Sequence, residues 1–378
     1  MINLFWLSTI MIVYSYFGYP LVLLVLSVFP ARTVRKGEIT PSVSILVSVY
    51  NEQKVIEAKL RNCLALDYPK DKLEIVVGSD GSTDNTDTIV AKHARAGVKL
   101  IRLNKRTGKV NALNVAIPRL KGEIVVFSDA NTIYERDAIK KLVRNFADPR
   151  IGCVCGELVF KNGEENEVGN LEGFYWRFEQ FLKRREGGRG ALLGANGGIY
   201  AIRKALFEPL PSNTIVEDFV MPMKILEKGY KVIYEPEAVA HEETSKRIVQ
   251  EMERRVRIGA GDFQALTLTW RMLNPFRGFP AFAYISHKVI RWFVPFFLIF
   301  TFFANTFLLS QKFYLTVFLL QCTFYLMAIA GRALSKLKIR FKLFGLPYYF
   351  ISMNIALFFG FIRFCANSQE VTWKRTER

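Results

Sequence analysis

The sequence predicts an α/β domain with a mostly parallel, Rossmann-like sheet, held between membrane-spanning helices. Three observations carry that prediction. Short β-branched runs alternate with helical segments from residue 43 to residue 129, the pattern of strands joined by helical crossovers. Charge-free apolar stretches of spanning length lie outside this region. The chain is 51% hydrophobic with 32 Phe, yet has 52 Lys+Arg against 34 Asp+Glu, a net charge of +18. Apolar excess with a basic balance fits a membrane protein whose cytoplasmic segments are basic. Nucleic-acid binding is the competing source of such charge. The basic residues cluster beside apolar spans and no RNA- or DNA-binding motif occurs, so no nucleic-acid partner is expected.

The elements follow in order. Residues 4–29 carry no charge. They lack the basic start, short apolar core and small-residue cleavage site of a signal peptide, and Pro20 is tolerable in a membrane helix, with a kink. Further apolar stretches lie at 291–310, 313–331 and 345–364. Arg332, Lys336, Lys338, Arg340 and Lys342 place the loop between the last two in the cytoplasm, and the basic run at 31–36 places the middle region on the same side. The expected organisation is an N-terminal transmembrane helix (1–30), a cytoplasmic domain (31–244), amphipathic interface helices (245–288) and a transmembrane hairpin (289–332). A basic loop and a third C-terminal apolar segment, spanning or re-entrant, follow (333–364), then a tail (365–378). A multi-pass protein of the plasma membrane is expected. Cys63, Cys153, Cys155, Cys322 and Cys365 show no zinc-like or paired spacing and read as reduced thiols.

Within the middle region, VSILVSVY (43–50), LEIVVGSD (73–80), VKLIRLN (98–104) and EIVVFSD (123–129) read as buried strands, with helices between them. Ligands of open α/β sheets bind beyond the carboxyl ends of the strands. Three of these ends carry polar groups: Asn51-Glu52, Asp80-Gly81-Ser82 and Asp129-Ala130-Asn131. Asp80-Gly81-Ser82 also fits a helix cap, and Asn51-Glu52 a helix start. Gly108-Lys109 opens a helix after a strand, where backbone N–H groups and a cation suit a diphosphate, without the spacing of a P-loop. Glu217-Asp218 stands at a helix start, where acids complement the dipole.

VSVYNE, SDGSTDNT, TGKVNALN, FSDAN, GANGGIYAIR, VEDFVMPMKI and ERRVRIGAG occur in the order of family 2 glycosyltransferases. The chain resembles their membrane-embedded, processive branch, which includes cellulose, hyaluronan and poly-N-acetylglucosamine synthases. The resemblance covers nearly all of residues 40–265 and implies a nucleotide-sugar-binding domain of GT-A type. It implies that Tyr50, Asn51, Glu52, Asp80, Lys109 and Asp129 bind the nucleotide-sugar, Asp80 at the base and Lys109 at the diphosphate. Asp129 and Asn131 would hold Mg²⁺ or Mn²⁺, and Asp218, with Glu217 beside it, would be the general base. Gly194, Asn196 and Gly197 would lie near the acceptor, and Arg254, Arg255 and Arg257 would serve acceptor and diphosphate. Trp373 and Arg375 are candidate gating residues of the tail.

A divalent cation neutralises the leaving diphosphate and needs only one or two protein oxygens, the phosphates supplying others. The resembled motif is Asp-x-Asp, so Asn131 removes one charge while keeping an oxygen. Ile258 stands where the family has tryptophan, Arg254 where it has glutamine, and Val216 where it has threonine. His241 is considered as a third metal ligand and not favoured. One base without a second nucleophile implies inversion and a β-linked product. The expected donor is a UDP-sugar; the expected acceptor is a growing glycan, with a lipid-linked acceptor and single transfer as the alternative. About four apolar segments are few for a channel, so a second copy or an export partner would complete one. A non-catalytic sugar-binding protein is the remaining reading, against which intact Asp129 and Asp218 argue.

Overall fold

The computed structural model describes residues 1–29, 34–161, 167–243, 248–337 and 342–370. Trp373 and Arg375 lie outside the described residues. Eight strands form one mixed sheet: β1 (Val43–Val49), β2 (Leu73–Ser79), β3 (Val98–Arg102), β4 (Ile124–Asp129), β5 (Thr132–Tyr134), β6 (Ile151–Lys161), β7 (Tyr200–Arg203) and β8 (Lys231–Glu243). Their order is β3-β2-β1-β4-β7-β6-β8-β5. Four pairings are parallel and three antiparallel. The parallel half is the part legible from alternating strands and helices, and the antiparallel β7 closes onto β4 from 70 residues downstream, where the sequence carries no local signal.

The helices are α1 (Ile2–Ser27), α2 (Ile56–Leu64), α3 (Thr86–Lys92), α4 (Lys109–Ala116), α5 (Ala138–Val143), α6 (Glu167–Gly188) and α7 (Glu217–Glu227). They continue as α8 (Ile248–Leu268), α9 (Phe279–Trp292), α10 (Val294–Thr306), α11 (Lys312–Lys336) and α12 (Lys342–Cys365). Strand alternation sends Ile45 and Val47 to one apolar layer with Ile56, Leu60 and Leu142. It sends Leu46 to the other, with Leu113, Phe127 and Tyr200. That second layer runs on without interruption through Phe219 and Phe263 to Tyr19, Tyr284 and Trp292. The sheet and parts of α1, α8 and α9 therefore share one core.

Among the described residues, three helices are long and apolar enough to cross a membrane: Ile2–Ser27, Lys312–Ser335 and Leu343–Cys365. The stretch predicted at 291–310 differs. It belongs to a helix pair, α9 and α10, bent by 58°. The bend falls at Phe293, at φ −89° and ψ −1°, and Pro295 occupies the first turn of α10, where a proline supplies no N–H to the preceding turn. Pro20 breaks nothing; the turn before it widens to a π-helix at Tyr14–Gly18, which absorbs the missing donor.

Candidate functional site

Register sets the site's floor. Ser48 pairs with Asp129 across β1–β4, and Val49 with Ser79 across β1–β2. The three polar strand ends predicted from sequence therefore lie on one rim. Two of them are stitched together. Asn51, with a left-handed φ of 55°, accepts the N–H groups of Thr83 and Asp84 at 2.8 and 3.3 Å, and its own N–H donates to Ser82 Oγ. The Glu52 N–H donates to Thr86 Oγ1 at 2.8 Å. Arg106 lies over the Tyr50 ring, 3.9 Å from its centroid.

Asp80 is 2% exposed, and its two oxygens accept the N–H groups of Thr107 and Gly108 at 2.7 and 2.8 Å. It thus shapes the loop that presents Lys109. A methyl group on Gly81 would fall 2.6 Å from the Lys105 carbonyl carbon, so only glycine lets this loop cross. Lys109, at the start of α4, reaches Asp129 Oδ1 at 2.9 Å and Glu217 Oε1 at 2.8 Å. Burial lowers the affinity of its amine for a proton, but Asp129 and Glu217 outweigh burial and hold it well above the usual lysine range. One ammonium therefore joins the β4 strand end to the N-terminus of α7.

Glu217 and Asp218 form the first turn of α7, where acids complement the helix dipole. The Asp218 carboxylate is half-buried and, among the described residues, takes no hydrogen bond. Burial and the neighbouring Glu217 push it up to about 6, against the opposing pull of Lys109. A methyl group on Gly197 would lie 3.0 Å from Asp218 Oδ2, so this glycine keeps the space beside the carboxylate open. Asn196 accepts from Lys183 Nζ at 2.5 Å and donates to the Gly156 carbonyl at 2.8 Å, which fixes the 194–197 loop.

Other predicted residues separate. Arg257 faces the site, with Nη1 3.4 Å from the Ile215 carbonyl. Arg255 turns the other way, onto α12, over the Tyr349 ring and against Met353 Sδ. Arg254 is exposed. Asn131 Nδ2 donates to Glu242 Oε1 at 2.7 Å. Glu242 was not foreseen, and its signal was present: strand alternation in β8 turns Glu242 towards the Asn131 side and sends its neighbour His241 towards Glu135, 3.3 Å away. Lys59 was missed too. It is fully buried, donates to the Thr132 carbonyl at 2.7 Å and sits over the Tyr134 ring. It lies beneath the Asp129–Thr132 turn, in a helix whose pattern reads simply as amphipathic.

No group of three His, Cys, Asp or Glu side chains that could hold a metal occurs among the described residues. The donor set that is present, one partly exposed carboxylate (Asp129) and one amide (Asn131), fits a hard cation that arrives with ligand phosphates completing its shell.

Residues 44–210 match the model of Glycosyl transferase family 2. The poly-beta-1,6-N-acetyl-D-glucosamine synthase of Staphylococcus aureus (strain COL) is 28% identical over 254 residues, covering 66% of this chain and 61% of that protein. The synthase of the same description from Staphylococcus epidermidis is 28% identical over 230 residues, covering 59% and 55%. The chain thus spans about three-fifths of the length of the curated relatives it matches. Among solved structures, the mannosyltransferase PcManGT from Pyrobaculum calidifontis, in complex with GDP-Man and Mn²⁺, superposes with a TM-score of 0.73 at 24% identity, covering 96% of this chain and 99% of that one. That likeness is one of fold, the GT-A fold.

Proposed function

We propose that this protein, whose residues 44–210 match the model of Glycosyl transferase family 2, is a membrane-bound, inverting glycosyltransferase. It moves a sugar from a nucleotide donor, a UDP-sugar by preference, to a growing glycan and forms a β-linkage. The observation that carries this reading is the half-buried Asp218, without a hydrogen-bond partner among the described residues, standing beside the Lys109–Asp129–Glu217 bridge. A carboxylate raised towards neutrality is suited to take a hydroxyl proton near physiological pH, and a fixed ammonium next to it is suited to stabilise a departing diphosphate.

In the reaction, Asp218 takes the proton of the acceptor hydroxyl as its oxygen forms a bond to the anomeric carbon. The bond from that carbon to the diphosphate breaks on the opposite face, and its electron pair leaves with the phosphate. Lys109, freed from part of its hold on Asp129 and Glu217, meets the charge on the leaving group. Asp129 and Asn131 would hold the divalent ion, Mg²⁺ or Mn²⁺, which supplies Lewis acidity to the diphosphate. Glu217 keeps Lys109 in register with Asp218. Asp80 acts through the Thr107–Gly108 loop as well as lying at the base pocket. The membrane helices keep the domain on the cytoplasmic face of the plasma membrane, where nucleotide-sugars are made.

Single transfer to a lipid-linked acceptor is the second reading. It is favoured by the small number of spans, three helices plus one bent pair among the described residues, and by Ile258 in place of an aromatic ring. Membranes containing the protein, incubated with radiolabelled UDP- and GDP-sugars, decide between them by product size. A ladder or high polymer supports elongation, and one discrete lipid-soluble product supports single transfer. No incorporation from any donor would remove both.

A further inference from the structure

Asp262 stands on α8, close to the proposed base yet unused by the reaction above. α8 is pressed onto the segment that carries Asp218 along one strip of its surface. Arg257 Nη1 approaches the Ile215 carbonyl at 3.4 Å. At Gly261, an added methyl group would come within 2.7 Å of Val216 Cγ1. Gln264 accepts the Ile215 N–H at 2.9 Å and donates to the Asn213 carbonyl at 2.8 Å. This strip fixes the helix at the residue before Asp262.

From there the Asp262 carboxylate lies within the electrostatic reach of Lys288, Asp218, Glu179 and Arg291. The two cations are already engaged, since Glu179 takes Arg291 at 2.5 Å and Lys288 at 3.4 Å. Among the described residues Asp262 accepts no hydrogen bond and forms no ion pair, although it is half-buried. Burial pushes it up to about 7. A half-buried carboxylate without a donor is costly to keep. A ligand that brings hydroxyl donors removes that cost, and an anionic ligand raises it.

We propose that Asp262 is an acceptor-binding residue, whose carboxylate accepts hydrogen bonds from hydroxyls of the acceptor sugar ring that presents its nucleophilic oxygen to Asp218. The acceptor class follows from charge: a neutral, hydroxyl-rich carbohydrate suits these two acids, and a lipid phosphate is repelled by both. The inference rests on the reading of Asp218 as the base. Ile258, one helical turn before Asp262, offers apolar surface on the same side of α8.

The test uses the full chain in detergent or nanodiscs, as wild type, Asp262→Ala and the near-isosteric Asp262→Asn. Saturation-transfer NMR and titration calorimetry measure binding of short β-linked oligosaccharides, with and without N-acetyl groups, of farnesyl phosphate, and separately of UDP and GDP. Loss of hydrogen bonds to a charged group predicts oligosaccharide binding roughly ten- to a hundredfold weaker in Asp262→Ala, with a smaller loss in Asp262→Asn and nucleotide binding unchanged. In turnover, KM for the acceptor rises while KM for the donor holds. Farnesyl phosphate binds no more tightly to wild type than to Asp262→Asn. Unchanged oligosaccharide binding in both variants overturns the proposal, as does equal loss of nucleotide binding, or farnesyl phosphate that needs the Asp262 charge. Failure of wild type to bind any nucleotide removes the glycosyltransferase reading instead, and the oligosaccharide arm still reports on Asp262.

Discussion

On the β1–β2 side of the cleft, the acids and amides are occupied before any ligand arrives. Asp80 accepts two backbone N–H groups, Asn51 accepts two, and Asp84 holds Thr86 and the Gln53 N–H. On the α7–α8 side, Asp218 and Asp262 accept none among the described residues, and both are pushed up into the range of 6 to 7. Lys109 stands between the two sides and is bound to each. The first side is a fixed mould, in which polar side chains spend their bonds on loop shape. The second keeps reactive groups unpaired, at a cost in stability, so that they are free for a substrate. Strain and unsatisfied charge collect where chemistry is expected.

The largest break in this contrast is at Asp218. Asp218→Asn keeps shape and removes the base, so transfer should fall by about 10²–10⁴, while calorimetry still finds nucleotide binding. Retained turnover would take Asp218 out of that role. On the moulded side the effect should fall on folding and donor affinity. Asp80→Ala strands the buried Gly108 N–H, a loss of about 1–3 kcal/mol, and the half-buried Thr107 N–H at a smaller cost, read as a lower midpoint of thermal unfolding with a raised donor KM. An Asp80→Ala protein as stable as wild type would mean the 105–108 loop holds its shape without it.

Smaller effects test the bridge. Asn131→Asp restores a charge next to Asp129, and the divalent-ion concentration for half-maximal activity should drop roughly three- to tenfold with ligand charge. No shift would place residue 131 outside the metal's reach and leave it as the partner of Glu242. The smallest effect concerns pH. Asp218 works deprotonated, so kcat/KM should decline as pH falls through about 6. Glu217→Gln removes a negative neighbour that favours the protonated acid, so the decline should move to lower pH. An unmoved midpoint would assign the titration to another group.

Much of the fold was legible because it rests on periodicity. The β1–β4 runs, the helices between them and the apolar stretches each follow from local pattern, and the strand-end clusters fall on one rim because parallel strands align their carboxyl ends. The 291–310 stretch reads as one straight apolar segment because hydropathy does not report the bend between α9 and α10. Arg255 reads like Arg257, but consecutive positions on a helix point in different directions, and two residues apart put these arginines on α12 and on the site respectively.

The amino-acid sequence by itself determined the α/β domain, the apolar segments, the order of the motifs and the chemical type of each candidate group, because these depend on residues near in sequence. Tertiary structure alone decided which groups meet. It joined Lys109 to Asp129 and Glu217, gave Asp80 to a loop, chose Glu242 over His241 beside Asn131, and laid α8 so that Asp262 lies near Asp218. Each of these pairings spans 20 to 111 positions of chain, a separation at which local pattern carries no information and only packing and strand register fix the contact.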